Sequence, residues 1–285
     1  MKLAINNGDA YCRYPYAALL YRGAKGFPAD RAKGRAYMEV LANPKNKRFK
    51  GIPVAMTALA GIYVREDKNY EGARDLYVKA AHAGEPQASV ALGRMYLSGE
   101  LPRDTAMARK YFEIATKSDE SSPEAHFLLG SMEMDQEKPN FKGAFQHFQK
   151  AASKGLPEAQ YNVGLAYFRG VGVPKNDALA IEYWKMSGQQ GFGLAQLSLG
   201  AYYFQNEEPP KEPEEERAVG STKTAFRHEW DLSKRDLSQA QKWFTLASRR
   251  PGDLGLEGAR LKAQVEEAIK KGGGGRRQDR PCTIM

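Results

Sequence analysis

The chain has 285 residues, 42% of them hydrophobic, and a formal net charge of +9. That composition is globular and large enough to bury a substantial core, and it excludes collagenous and wholly disordered chains. No apolar run approaches the roughly 20 residues that span a bilayer, no apolar stretch behind the lysine of "MKLAINNGDAYCRYPY" makes a signal peptide, and Cys12 and Cys282 alone give no disulfide framework. A place in the cytosol, or on the cytosolic face of a membrane, is the expectation. The first element, "NGDAYCRYPYAALLYRGAKGFPAD", is rich in tyrosine (Tyr11, Tyr14, Tyr16, Tyr21) and aligns with the first helix of the units that follow. The chain therefore begins almost inside a repeat.

Those units set the architecture. A small residue followed five positions later by another recurs at Ala55/Ala60, Ala88/Gly93, Ala125/Gly130, Ala159/Gly164 and Ala195/Gly200, with successive alanines 33, 37, 34 and 36 residues apart. Tyrosine stands three residues after the second member at Tyr63, Tyr96, Tyr167 and Tyr203, and Glu133 takes that place in the remaining unit. The second half of each unit carries a large aromatic in a short amphipathic stretch: Tyr37, Tyr77, Phe112, Phe148, Trp184 and Phe244. Helical spacing with glycine and proline punctuation predicts helix, turn, helix, turn, with no strand. Small residues let helices approach closely and the aromatic fills the gap between them. One pair cannot bury its own apolar stripe, so stacking must supply the core, which predicts an all-α, right-handed solenoid of about six repeats over residues 8–250.

Two segments follow the repeat pattern only in part. Residues 205–235, "QNEEPPKEPEEERAVGSTKTAFRHEWDLSKR", interrupt the last unit, and the first half, rich in proline and glutamate, is expected to be a solvated loop. Residues 251–271 predict a terminal capping helix. Residues 272–285, "GGGGRRQDRPCTIM", predict a flexible tether, because four glycines break any helix.

The stretches "LGRMYLSGE" and "VGLAYFRGVGVPKNDALAIEYWKMSGQQG" resemble the Sel-one-like repeat, a relative of the tetratricopeptide repeat with a longer, glycine-bearing turn. The resemblance is carried by Gly164, Tyr167, Gly170, Gly172, Val173, Asp177, Ala180 and Trp184, and it implies that the solenoid acts by binding. Residues 55–87 and 125–158 depart from it with the shortened turns "REDKNYEG" and "DQEKPNFKG". Some bacterial members of the family bind or hydrolyse β-lactams, but those carry paired cysteines in each repeat, a feature Cys12 alone does not reproduce.

No residue cluster predicts an active site, a cofactor or a metal. His82, His126, His147 and His228 occur singly, without the spacing that puts two ligands on one helix face, and are expected at the surface or at helix ends. There is no GxSxG elbow or phosphate-binding loop, and the glycines of "RGVGVP" fall between helices rather than after a strand. The repeated aromatics keep a helical register, so they belong to a core rather than to a nucleic-acid stacking platform. The excess charge agrees: Lys270, Lys271, Arg276, Arg277 and Arg280 against Asp279 put nearly half of it in the tail, and the remainder is spread over a mixed surface, so no nucleic-acid partner is expected. The expected partner is a protein, held on the concave face of the solenoid.

The last four residues supply a location. Cys282 is fourth from the end, followed by Thr283, the aliphatic Ile284 and Met285, which is the pattern of a prenylation box that directs farnesylation. One lipid gives only marginal attachment, and the basic residues beside it supply a second signal toward an anionic membrane surface. A Sel-one-like solenoid joined to such a box resembles the fungal activators of chitin synthase, which implies a regulatory adaptor peripheral to the cytosolic face of a membrane. The alternatives are a soluble assembly or chaperone adaptor with an incidental tail, and an enzyme whose groove assembles polar groups from distant repeats.

Overall fold

A computed structural model of the protein describes residues 10–43, 51–117, 122–205 and 237–270, and among these every regular element is a helix apart from one isolated bridge, Ala24 to Phe27. The first helices of successive pairs are α1 (Ala10–Arg22), α3 (Pro53–Ile62), α5 (Pro86–Ser98), α7 (Pro123–Met134), α9 (Pro157–Arg169) and α11 (Gly193–Gln205). Their second helices are α2 (Arg31–Ala42), α4 (Tyr70–His82), α6 (Thr105–Thr116), α8 (Phe141–Ser153), α10 (Asp177–Gln189) and α12 (Leu237–Ser248), and α13 (Asp253–Lys270) follows. The chain forms two compact units, Met1–Met132 and Glu133–Met285. In the first, α1 to α6 pack each on the next; in the second, α8 to α13 do the same. Sequence neighbours are thus spatial neighbours, the arrangement of an all-α solenoid.

The two kinds of helix start differently, and the sequence dictates how. First helices α3, α5 and α9 open with Pro53, Pro86 and Pro157, whose missing N–H is one the helix leaves unpaired anyway. Second helices open on an acidic or amide cap: Asp30, Asn69, Asp104, Asn140 and Asn176 each accept, through the side chain, the backbone N–H three residues on, at 2.9 or 3.0 Å. The same cap residue closes the turn. Its own N–H donates to the carbonyl of Leu20, Tyr63, Tyr96, Glu133 or Tyr167 at 2.7–3.2 Å, and these five residues occupy the tyrosine place of their repeats. Turns of different length therefore end at one closure. At Glu133, which lacks the tyrosine ring, the carboxylate also accepts from the Asn140 amide at 2.8 Å.

The cores are built as the repeat pattern predicts. A Cβ added to Gly93, Gly164 or Gly200 would stand 2.4–2.5 Å from the ring of Phe112, Trp184 or Phe244, so each glycine is the socket for the aromatic of its own repeat. Gly200 and Phe244 meet although residues 206–236 separate their helices. Phe112 and Phe244 are fully buried, and Trp184, Phe148 and Tyr77 nearly so.

In the first repeat the expectation fails by one residue. Tyr37 is 38% exposed and packs edge-on to Tyr16, while Met38, four residues after the close-packed Gly34, is 3% exposed and takes the core place. The spacing from the small residue decides this, because four residues return a helical side chain to the same face. Of the two places expected for the histidines, His126 takes the helix end, in the first turn of α7, but it is not at the surface, being 7% exposed. It is one of four buried polar residues, Ser89, His126, Gln160 and Gln196, each directly after a repeat alanine. Gln160 and Gln196 show what this place does in the second unit: their amides donate to the carbonyls of Ala152 and Gly188, at 3.4 and 2.9 Å, in the last turns of α8 and α10. Each carbonyl, which also accepts the N–H of Gly155 or Gly191 in its own turn, thus gains a second partner on the next helix.

Candidate partner-binding cleft

In the first unit, a cleft of about 330 Å³ lies where α1, α3 and the start of α5 come together. Ala18, Ala58 and Gly61 line it, and their small size keeps the space between α1 and α3 open. Tyr14, Tyr21 and Tyr77 give it aromatic walls, and Arg22, Arg65 and Glu85 bring charge. Val54 is 41% exposed at its edge, so apolar surface is available as well.

The segment after α3 shapes this cleft. Instead of ending in glycine, the helix widens into a single π turn, Tyr63–Asp67, stopped by Lys68 in the left-handed region at φ 54°. Such turns recur at functional sites. Two of its three charged side chains are held from outside. Arg35 of α2 donates to both Asp67 oxygens at 2.9 and 2.6 Å, reaches Glu39 at 3.1 Å, and lies over the Tyr63 ring at 5.5 Å. Glu66 accepts from the Tyr21 hydroxyl. The Arg35 fork holds the Asp67 carboxyl below its ordinary range, and the guanidinium is correspondingly harder to deprotonate. Burial, reinforced by the bond to Glu66, raises the Tyr21 phenol. Arg65 remains, with its guanidinium against Gly61 and close to the Tyr77 hydroxyl.

The residues that carried the repeat resemblance lie in the second unit. Gly164 and Trp184 form the socket described above, and the Trp184 indole N–H donates to the Tyr161 carbonyl at 3.2 Å. Tyr167 stacks on Tyr183 with ring centres 6.0 Å apart and meets Phe145 edge-on. Gly170 ends α9 with φ 69°, and Gly172, at φ 75°, passes so near α8 that a Cβ would come within 2.4 Å of the Phe141 carbonyl. Asp177 is the first residue of α10, whereas the cap is Asn176; Asp177 pairs with Lys175 at 3.5 Å. Burial and the Asp177 charge together push the Tyr202 phenol up to about 12. These residues build the fold.

Lys270 ends α13 and is exposed. Lys271, Arg276, Arg277, Arg280 and the box Cys282, Thr283, Ile284 and Met285 lie outside the described residues, as do most of the 205–235 insertion and His228. Among the described residues no three His, Cys, Asp or Glu side chains gather as a metal would need, and no helix is long and apolar enough to cross a membrane. The cleft was not legible in the sequence, because Arg22 and Arg65 read there as ordinary surface charges.

The Sel1 repeat family matches residues 10–43, 53–85, 86–119, 123–156, 157–192 and 226–251. The chain is 28% identical over 202 residues to the chitin synthase regulator SKT5 of Saccharomyces cerevisiae, covering 65% of this chain and 27% of that protein. It is 28% identical over 215 residues to an uncharacterised protein of Neisseria meningitidis serogroup B, covering 70% of this chain and 43% of the other. The chain thus spans less than half the length of these relatives. A crystal structure of a protective antigen with an SLR fold from uropathogenic Escherichia coli superposes with a TM-score of 0.67 at 24% identity, over 92% of this chain and 50% of that one, a likeness of fold. The helix pairs, their shared caps and sockets and these matches agree: the chain belongs to the Sel1 repeat family.

Proposed function

We propose that the chain is a non-catalytic adaptor that holds a protein partner through its repeats and is tethered to the cytosolic face of a membrane by a prenylated Cys282. The observation that carries this reading is the similarity over 202 residues to a protein named as a regulator of chitin synthase. A regulator of that kind joins a membrane enzyme to a place, and "CTIM" supplies the place. Residues 8–250 then bind, residues 251–271 cap the stack, and residues 272–285 reach the membrane. The partner is a protein, and a membrane enzyme such as chitin synthase is the one the relative points to. The reading needs no cofactor, metal or nucleic acid.

The test compares wild type with Cys282→Ser in cells fed an alkyne-bearing farnesyl precursor, followed by fractionation and pull-down. The expected result is label and membrane recovery for wild type only, with partner capture reduced in the variant. Equal membrane recovery of both proteins, or an unlabelled wild type, would sink the tether and favour a soluble adaptor.

A further inference from the structure

Resting on the adaptor reading only in its assumption of a protein partner, we propose that the first-unit cleft binds an extended acidic segment of that partner, with carboxylates held by Arg22 and Arg65.

Charge points there first. Most cations around the cleft are already engaged: Arg35 is held by Asp67 and Glu39, and Arg31 lies over the Tyr21 ring at 6.0 Å. Of the acids nearby only Asp67 is neutralised, by Arg35; Glu66 accepts the Tyr21 hydroxyl and Glu85 the Gln87 N–H at 3.4 Å as the cap of α5, and both keep their charge. Arg22 and Arg65 line the cleft and have no carboxylate partner among the described residues. Elsewhere on this unit Arg94 pairs with Glu124, and Arg74 with Glu71 and Asp75. The cleft thus holds two exposed guanidinium groups without an ion-pair partner beside open space. A guanidinium presents a planar fork that matches a carboxylate in both distance and direction.

Register makes the two arginines a pair. Leu20 and Tyr63 accept the same turn-closing bond in successive repeats, and Arg22 and Arg65 each stand two residues beyond them. The two cations thus stand at equivalent sequence places, Arg22 at the end of an α-helix and Arg65 within the π turn. Gly61 allows the Arg65 guanidinium to lie flat against α3, since a Cβ there would stand 3.2 Å from Nη1.

Shape selects the class of ligand. Ala18 and Ala58 leave room for a main chain, Gln87 offers an amide to it, and Tyr14 and the exposed Val54 offer apolar surface to its side chains. A nucleic acid would bring a phosphate at every step into a cleft that Glu85 lines, where the cations among the described lining residues are Arg22 and Arg65. An acidic peptide can place its carboxylates on those two and turn neutral residues toward the acids.

The test is fluorescence anisotropy with the purified full chain and three labelled probes: a short peptide of alternating glutamate and valine, its glutamine counterpart, and a single-stranded oligonucleotide of equal charge. The expected result is binding of the glutamate peptide alone, about tenfold weaker in Arg65→Gln and weaker again in the double variant with Arg22→Gln. Arg74→Gln serves as the surface control and should leave affinity unchanged, with circular dichroism melts confirming that all variants fold. Equal binding of the glutamine peptide, preference for the oligonucleotide, or full affinity in the double variant overturns the proposal. If the double variant still captures the wild-type partners in the pull-down, the cleft assignment fails while the adaptor reading stands.

Discussion

Gly164 has the Trp184 indole where its side chain would be, and that one contact shows how residue identity becomes packing. A Cβ at this position would lie 2.5 Å from the ring and 3.0 Å from the Ala180 carbonyl. The ring has little freedom to yield, because its N–H is bonded to the Tyr161 carbonyl at 3.2 Å. Alanine is a better helix former than glycine by about 1 kcal/mol, but overpacking a close-packed core costs about 1–3 kcal/mol. The second effect should win here: Gly164→Ala is expected to lower stability in urea unfolding by about 1–2 kcal/mol. In a Trp184→Leu background, where the ring is gone, the same substitution should be neutral or stabilising, and a double-mutant cycle measures that coupling. Additive effects would refute the socket. The glycines and aromatics of this lock were legible because each recurs once per repeat. The Tyr37 and Met38 exchange was not, because an aromatic beside the true core position outweighs a methionine in any scan for large apolar residues. The burial of Ser89, His126, Gln160 and Gln196 was hidden for the opposite reason, since polar side chains read as surface unless the repeats are aligned on their alanines.

At the scale of the element, the turns vary and their closure does not. From Leu20 to Asp30, Tyr63 to Asn69 and Tyr167 to Asn176 the connecting length changes, yet each ends in the same pair of bonds made by the cap residue. The sequence showed the shortened turns and left their geometry open, because nothing local announces a π turn. What fixes it is a contact from another helix, the Arg35 fork on Asp67. Asp67 has its pKa lowered by that fork, so its contribution to stability is present above the ordinary carboxylate pKa of about 4. It is lost as pH falls through the lowered value. Hydrogen exchange of the 63–67 amides should therefore accelerate in acid beyond the intrinsic chemical trend. Asp67→Asn should show the faster exchange already at neutral pH and lose the acid dependence. Identical protection in variant and wild type at pH 7 would show that the π turn holds itself without Arg35.

For the whole molecule, the repeats and the tail divide the work unequally in energy. Each unit stabilises itself through contacts between consecutive helices, so its fold follows from local pattern and was readable in advance. The proposed membrane attachment would have no such redundancy. A single prenyl chain gives only marginal binding even at about 0.8 kcal/mol per buried CH₂. Each basic residue at an anionic surface adds about 1 kcal/mol, within a Debye length of about 8 Å at physiological salt. With Arg276, Arg277 and Arg280 replaced by glutamine and Cys282 left intact, the local excess drops from four positive charges to one. At about 1 kcal/mol per charge, three lost charges reduce the membrane partition constant by about a hundredfold. On vesicles containing phosphatidylserine, sedimentation of the prenylated wild type should fall steeply as salt is raised, while the triple glutamine variant should bind weakly at every salt concentration. Vesicles of neutral lipid should bind both proteins alike. Retention of the glutamine variant on anionic vesicles at wild-type levels would mean that the lipid, or the body of the protein, holds the membrane without the basic tail.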